Sequence, residues 1–227
     1  MSKKVVVISL GGSLIIGESE TLGRFRKVLR NNYSKYKFVI VCGGGAIARK
    51  YISVLERQGK PKKELSMAGI LATRTNAEFV MKLFGENEAN DILPRSMKEI
   101  KDNLKKNNVV VCGALRYTKN STSDSTSAQI ANFLGTDFIN ITNIKGLYDK
   151  NPLKNKNAKF ISEISWKEFH KLAAAKKFKA GQHFVLDQNA SEIIMKNKIT
   201  TYIIGSEFGN ITKILKREKF TGTIIQG

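Results

Sequence analysis

Five short runs rich in Val and Ile, at residues 4–10, 38–42, 109–112, 138–142 and 201–204, each end at a glycine or a polar turn and give way to a stretch of helical period. Runs this brief and this continuously apolar read as strands buried on both faces, and the segments between them read as their cover. Those amphipathic segments are expected at residues 21–36, 46–58, 67–84, 96–106, 126–134, 167–176, 188–197 and 207–217. Strand and helix alternate, which is the pattern of a mostly parallel sheet covered by helices. The three prolines, at 61, 94 and 152, all fall in connections, so no helix is interrupted.

Four of the turns that follow these strands are unusually rich in glycine or polar residues: LGGSL at Gly11, CGGGAIARKY at Cys42, CGALRY at Cys112 and TNIKGLYDKNP at Thr142. Glycine lets main-chain N–H groups approach a guest closely, and phosphate is the commonest such guest. In an open parallel sheet, ligands bind beyond the carboxyl ends of the strands. Several such turns on one edge suit a ligand with several phosphates, or two phosphorylated ligands side by side. The Walker A pattern is absent. Gly43, Gly45 and Ala48 fit a dinucleotide fingerprint, but the acidic residue it requires at the end of a second strand is missing, since Glu64 lies outside any strand pattern.

Composition narrows the classes further. No stretch of the 227 residues is apolar enough for a membrane span, and MSKK leads straight into a strand, so a cytoplasmic protein is expected. Cys42 and Cys112 each close an apolar run and read as small buried residues instead of a disulfide. Two histidines, His170 and His183, are too few for a histidine metal site, and no metal held by protein ligands alone is expected. A net charge of +20 suits an anionic partner, yet the lysines are spread along the chain without a basic and aromatic patch, so nucleic acid is not the expected partner.

Arg49 lies four residues beyond Gly45, where a guanidinium could reach a phosphate that the helix N-terminus already attracts; a solvated helix arginine is the plain alternative. NSTSDSTSAQIA carries an N-cap signal, with Asp124 or Ser125 as the expected cap. Its hydroxyl groups exceed what one cap needs, and the excess suits acceptor binding. Arg74 and Asn76 sit on a helix that could face the acceptor or a second subunit, and Tyr148 could stack on a base or simply pack.

SLGGSLI, VCGGGAIARKY, GILATRTNA, TSDSTSAQIANFLGTD, NITNIKGLYDKNP and KAGQHFVLDQNASEII stand in the order and spacing of the amino acid kinase superfamily. The chain resembles most its archaeal-type UMP kinases, over nearly its whole length. The resemblance implies one three-layer α/β/α sandwich spanning residues 1–227, with acceptor binding in about 1–135 and ATP binding in about 136–227. It implies transfer of the ATP γ-phosphoryl group to UMP with Mg²⁺ carried on the nucleotide phosphates, in a homo-oligomer that is usually a hexamer. The catalytic residues it implies are Gly12, Ser13, Arg49 and Asp187. ATP would meet Gly11, Gly12, Ser13, Gly45, Arg49, Thr142, Tyr148 and Asn151, and UMP would meet Gly44, Ser66, Gly113, Leu115, Arg116, Tyr117, Thr122, Ser123 and Asp124.

Three positions depart from the family pattern: Ser66 replaces an Asp that bonds the UMP ribose, Lys145 replaces the Asp of TNxDG, and Asn151 replaces an acid expected to hold the ATP ribose. Ser9 stands where many members carry a strand lysine. Arg116, Lys119 and Lys145 are further candidates for neutralising charge beside Arg49. The same fold with another acceptor, or a nucleotide sensor without catalysis, are the alternative readings these departures leave.

Overall fold

The computed structural model describes residues 3–17, 20–118, 121–152, 155–175 and 185–227. Lys119, His183 and the KAGQHF portion of the motif at residues 179–184 lie outside the described residues. In chain order the elements are β1 (Lys4–Leu10), α1 (Gly12–Ile15), α2 (Thr21–Arg30), β2 (Tyr36–Cys42), α3 (Gly45–Arg57), α4 (Lys62–Phe84), α5 (Met97–Lys106), β3 (Val109–Cys112), α6 (Ser123–Leu134), β4 (Phe138–Ile141), β5 (Leu147–Tyr148), β6 (Phe160–Ile161), β7 (Glu163–Ile164), α7 (Trp166–Ala174), α8 (Gln188–Asn197), β8 (Thr201–Ile204), α9 (Gly209–Leu215) and β9 (Thr223–Ile225). All five expected strands are present. The four that were not read are only two or three residues long.

The main sheet has the order β3-β2-β1-β4-β8-β9-β7, parallel except where β9 runs against β8, and β5 pairs with β6 in a small separate ribbon. Alternation along the strands divides the core in two. Val6, Ile8 and Leu10 of β1 face the side covered by α2, α4 and α9, where Phe25, Phe84 and Ile211 are buried. Val7 faces the side of α5, α6, α7 and α8, with Ile100, Ile130 and Phe169. Each fully buried phenylalanine contributes about 1.5–3 kcal/mol of hydrophobic stabilisation. The layers are those of an α/β/α sandwich.

Both cysteines are buried with free thiols, as expected, and alternation turns them to opposite faces of the sheet: Cys42 packs in the first core and Cys112 in the second. Burial pushes the Cys42 thiol well up and the Cys112 thiol up to about 12, so neither offers a thiolate.

The edge strand β3 is shielded by the segment after α4. The Val109 amide donates to the Glu88 carbonyl at 3.0 Å, and Asn90 exchanges two bonds with the Val111 backbone, at 2.6 and 3.0 Å, in place of a neighbouring strand. Glu88 is held in turn by Arg26 and by the Tyr33 hydroxyl at 2.9 Å.

Two expectations are corrected. The helix expected over residues 21–36 stops at Arg30, because Asn32 turns its side chain back to the Val28 carbonyl and Tyr36 joins β2, its ring stacked near Phe38 and its hydroxyl on the Leu215 carbonyl. The cap of α6 is Thr122, whose Oγ1 accepts from the Asp124 amide at 3.1 Å; Asp124 and Ser125 fall inside the first turn.

Candidate active site

The carboxyl ends of β1, β2 and β3 carry turns whose backbones press on one another. A Cβ on Gly12 would lie 2.6 Å from the Gly43 carbonyl oxygen and 2.7 Å from the Gly45 Cα, and Gly45 holds φ at +57°. No other residue fits both constraints. These glycines therefore bring two turns into direct contact while leaving the amide ends of α1 and α3 side by side.

Next to this contact lies a cavity of about 230 Å³. The β2–α3 turn supplies Gly44 and Gly45, α3 supplies Arg49 and Ile52, and α4 supplies Ser66, Gly69, Ile70 and Thr73. The opposite wall is the loop after β3, with Ala114, Arg116, Tyr117 and Thr118, followed by the first turn of α6. Asp187 and Gln188, at the start of α8, close the end. The walls offer two arginines, a set of hydroxyls and two carboxylates around a partly apolar floor, which suits an anionic ligand with a polar ring.

Carboxylate Asp187 ties the two helix starts together. It caps α8 by accepting from the Ala190 amide at 2.7 Å, takes the Ser125 hydroxyl at 2.8 Å on each oxygen, and also accepts from Thr122. The second carboxylate, Asp124, accepts from Ser9 Oγ at 3.0 Å. Strand alternation explains that bond: Ser9 follows Val7 on the face of β1 that α6 covers. Burial, and then the charge of Asp187, push the Asp124 carboxyl up to about 7, with the Ser9 bond opposing. A neutral Asp124 repels an incoming anion less than an ionised one.

A family model described as the amino acid kinase family matches residues 4–205. The chain belongs to the amino acid kinase family. Its relatives include a uridylate kinase of Archaeoglobus fulgidus, 34% identical over 97% of this chain and 99% of that protein, and one of Methanopyrus kandleri, 32% identical over 97% and 99%. The crystal structure of a uridylate kinase from Archaeoglobus fulgidus superposes with a TM-score of 0.82 at 32% identity, covering 97% of this chain and 99% of that one. A UMP kinase structure from Ureaplasma parvum, with a TM-score of 0.78 and 21% identity, shows the shared fold.

In this amino acid kinase the residues singled out by sequence fall into three groups. Gly44, Gly45, Arg49, Ser66, Arg116, Tyr117, Thr122, Ser123, Asp124 and Asp187 line this cavity. Gly113 and Leu115 stand behind its wall, Leu115 in the core and Gly113 against α4. Gly12 adjoins the cavity through Gly45, with Gly11 and Ser13 on either side of it in the chain, whereas Thr142, Tyr148 and Asn151 lie beyond β4, outside its lining. Thr142 extends the sheet by donating its amide to the Ile204 carbonyl at 2.9 Å, and the Tyr148 ring meets Phe160 edge-on at 5.4 Å. Thr73, Ile70 and Gln188 also line the cavity and were not read as site residues, although they lie within the GILATRTNA and KAGQHFVLDQNASEII motifs.

Proposed function

We propose that this amino acid kinase is a UMP kinase, transferring the γ-phosphoryl group of ATP to UMP to give UDP and ADP. The observation that carries this reading is the cavity that gathers Gly44, Arg49, Ser66 and Thr122–Asp124, in a chain 32–34% identical to archaeal uridylate kinases along nearly its whole length. The transfer forms one P–O bond, from a UMP phosphate oxygen to the γ-phosphorus, and breaks the bond from that phosphorus to the ADP oxygen. The UMP phosphate is already a nucleophile at neutral pH, so the chain has to position groups and neutralise charge.

In this reading the residues up to about 135 hold UMP and those after it hold ATP. Arg49 on α3 faces the cavity and supplies a forked cation to the phosphates, while the amides at Gly12, Ser13 and Gly45 supply fixed dipoles. Ser66 bonds the UMP ribose, and the loop from Ala114 to Asp124 wraps the uracil and phosphate. Thr142, Tyr148 and Asn151 seat the ATP nucleoside. Among the described residues no three His, Cys, Asp or Glu side chains gather as a metal site. A Mg²⁺ carried on the nucleotide phosphates would supply charge neutralisation beside Arg49.

The outer faces of α3 and α4 fit the homo-oligomer, a hexamer by the family pattern. α3 has no buried residue at all, and Tyr51, Val54, Met67, Leu71 and Phe79 are exposed along the two helices. A second copy of the chain would cover them.

The reading is tested by coupled ADP release with ATP, Mg²⁺ and, in turn, UMP, CMP, dUMP, AMP and GMP. A signal with UMP well above the others is expected; turnover of a purine monophosphate ahead of UMP overturns the assignment.

A further inference from the structure

One face of α4 grips the loop that walls the cavity. Thr73 Oγ1 accepts from the Ala114 amide at 3.0 Å. Next to it, Arg74 donates from Nε to the Ala114 carbonyl at 3.1 Å and from Nη2 to the Leu115 carbonyl at 2.7 Å. Gly113 makes the approach possible, since a Cβ there would lie 2.8 Å from the backbone of both Thr73 and Arg74. One turn on, Asn76 donates to the Gly43 carbonyl at 2.7 Å, which holds the other turn bordering the cavity. Helical spacing places Thr73 and Asn76 on the same side of α4, with Arg74 at its edge.

Arg74 is therefore a cation that spends its forked donors on two main-chain carbonyls. Burial, and then the nearby Arg95, lower its pKa, a cost that a decorative surface arginine would not carry. Its side chain does not line the cavity, but the residues that directly follow its acceptors, Arg116, Tyr117 and Thr118, do. We infer that Arg74 is a positioning residue for the acceptor: its fork, with Thr73 beside it, fixes the loop after β3 in the shape that receives the nucleoside monophosphate. The inference rests on the acceptor reading of that loop proposed above. A lysine cannot replace the fork, because one ammonium cannot reproduce two parallel planar donors.

The test pairs kinetics with a direct probe of the loop. In Arg74→Lys, KM for UMP is expected to rise about tenfold or more, the loss of one charge-assisted hydrogen bond, while KM for ATP and kcat stay within about twofold. Thr73→Val, which removes the other tie without changing charge, is expected to move the same constant in the same direction. Independently of activity, limited trypsin digestion should cut after the exposed Arg116 faster in Arg74→Lys than in the wild type, with other sites unchanged. A parallel rise in both KM values with accelerated cutting everywhere would mean a general structural role and overturn the inference, as would unchanged kinetics and cutting. If the wild type turned over no UMP, the function reading would fail, and selective cutting at Arg116 would still decide whether Arg74 holds the loop.

Discussion

The backbones of Gly12 and Gly45 touch: a Cβ on Gly45 would come within 2.6 Å of the Gly12 carbonyl carbon, and Gly45 itself has φ of +57°. The turn after the first strand and the turn after the second are thus one structure. Gly45→Ala is expected to destabilise the fold by about 1–3 kcal/mol, from the left-handed backbone and the overlap together. Urea denaturation checks this. An unchanged midpoint would show that the two turns are free to separate.

Arg49 lines the cavity, and among the described residues its guanidinium makes no hydrogen bond or ion pair that could mask its role. Arg49→Ala is expected to cut kcat/KM for UMP about a hundredfold or more, the scale of losing one preorganised charged donor at a transferring phosphate, with little change in thermal midpoint. Steady-state kinetics beside a melting curve separates the two effects.

Asp124 gives a pH signature. Its carboxyl lies near 3.8 in an unfolded chain and about 7 when folded, so the folded state holds the proton more tightly and this group's contribution to stability falls as pH rises from 3.8 towards 7, then levels off. Asp124→Asn keeps the neutral form at every pH. Measured by urea denaturation, the variant should gain on the wild type as pH rises across that interval. A stability difference that stays constant would contradict the burial assigned to this carboxyl.

Five strands and most helices were legible because short continuous Val and Ile runs, and amphipathic runs near a period of 3.6, report burial directly. The runs around Val109 and Phe138 left no other reading. Tyr36 was misread as the end of a helix because its burial comes from Phe38 and Leu215, partners that local pattern does not reveal. The same limit applied in the site. Motif, spacing and the family resemblance pointed to Gly44, Arg49 and Asp124, all of which line the cavity, but the bond from Ser9 to Asp124, the bonds from Ser125 and Thr122 to Asp187 and the grip of Arg74 on Ala114 join residues far apart in the chain. The Thr122 hydroxyl that caps α6 also donates to Asp187, a partner that the local pattern does not reveal.

Ser66 lines the cavity where the family resemblance places an acid on the UMP ribose. A hydroxyl makes a hydrogen bond roughly half as strong as a charge-assisted one. Ser66→Asp is therefore expected to lower KM for UMP by about fivefold to tenfold while leaving dUMP less affected. Equal gains for UMP and dUMP would show that position 66 does not meet the ribose 2′-hydroxyl.

The most direct test follows the phosphorus itself. With ATP labelled at the γ-phosphate, Mg²⁺ and UMP, the label should appear in the β-phosphate of UDP, with no transfer when UMP is omitted. Label that stays in ATP, or passes only to inorganic phosphate, would contradict the assignment of this cavity to UMP.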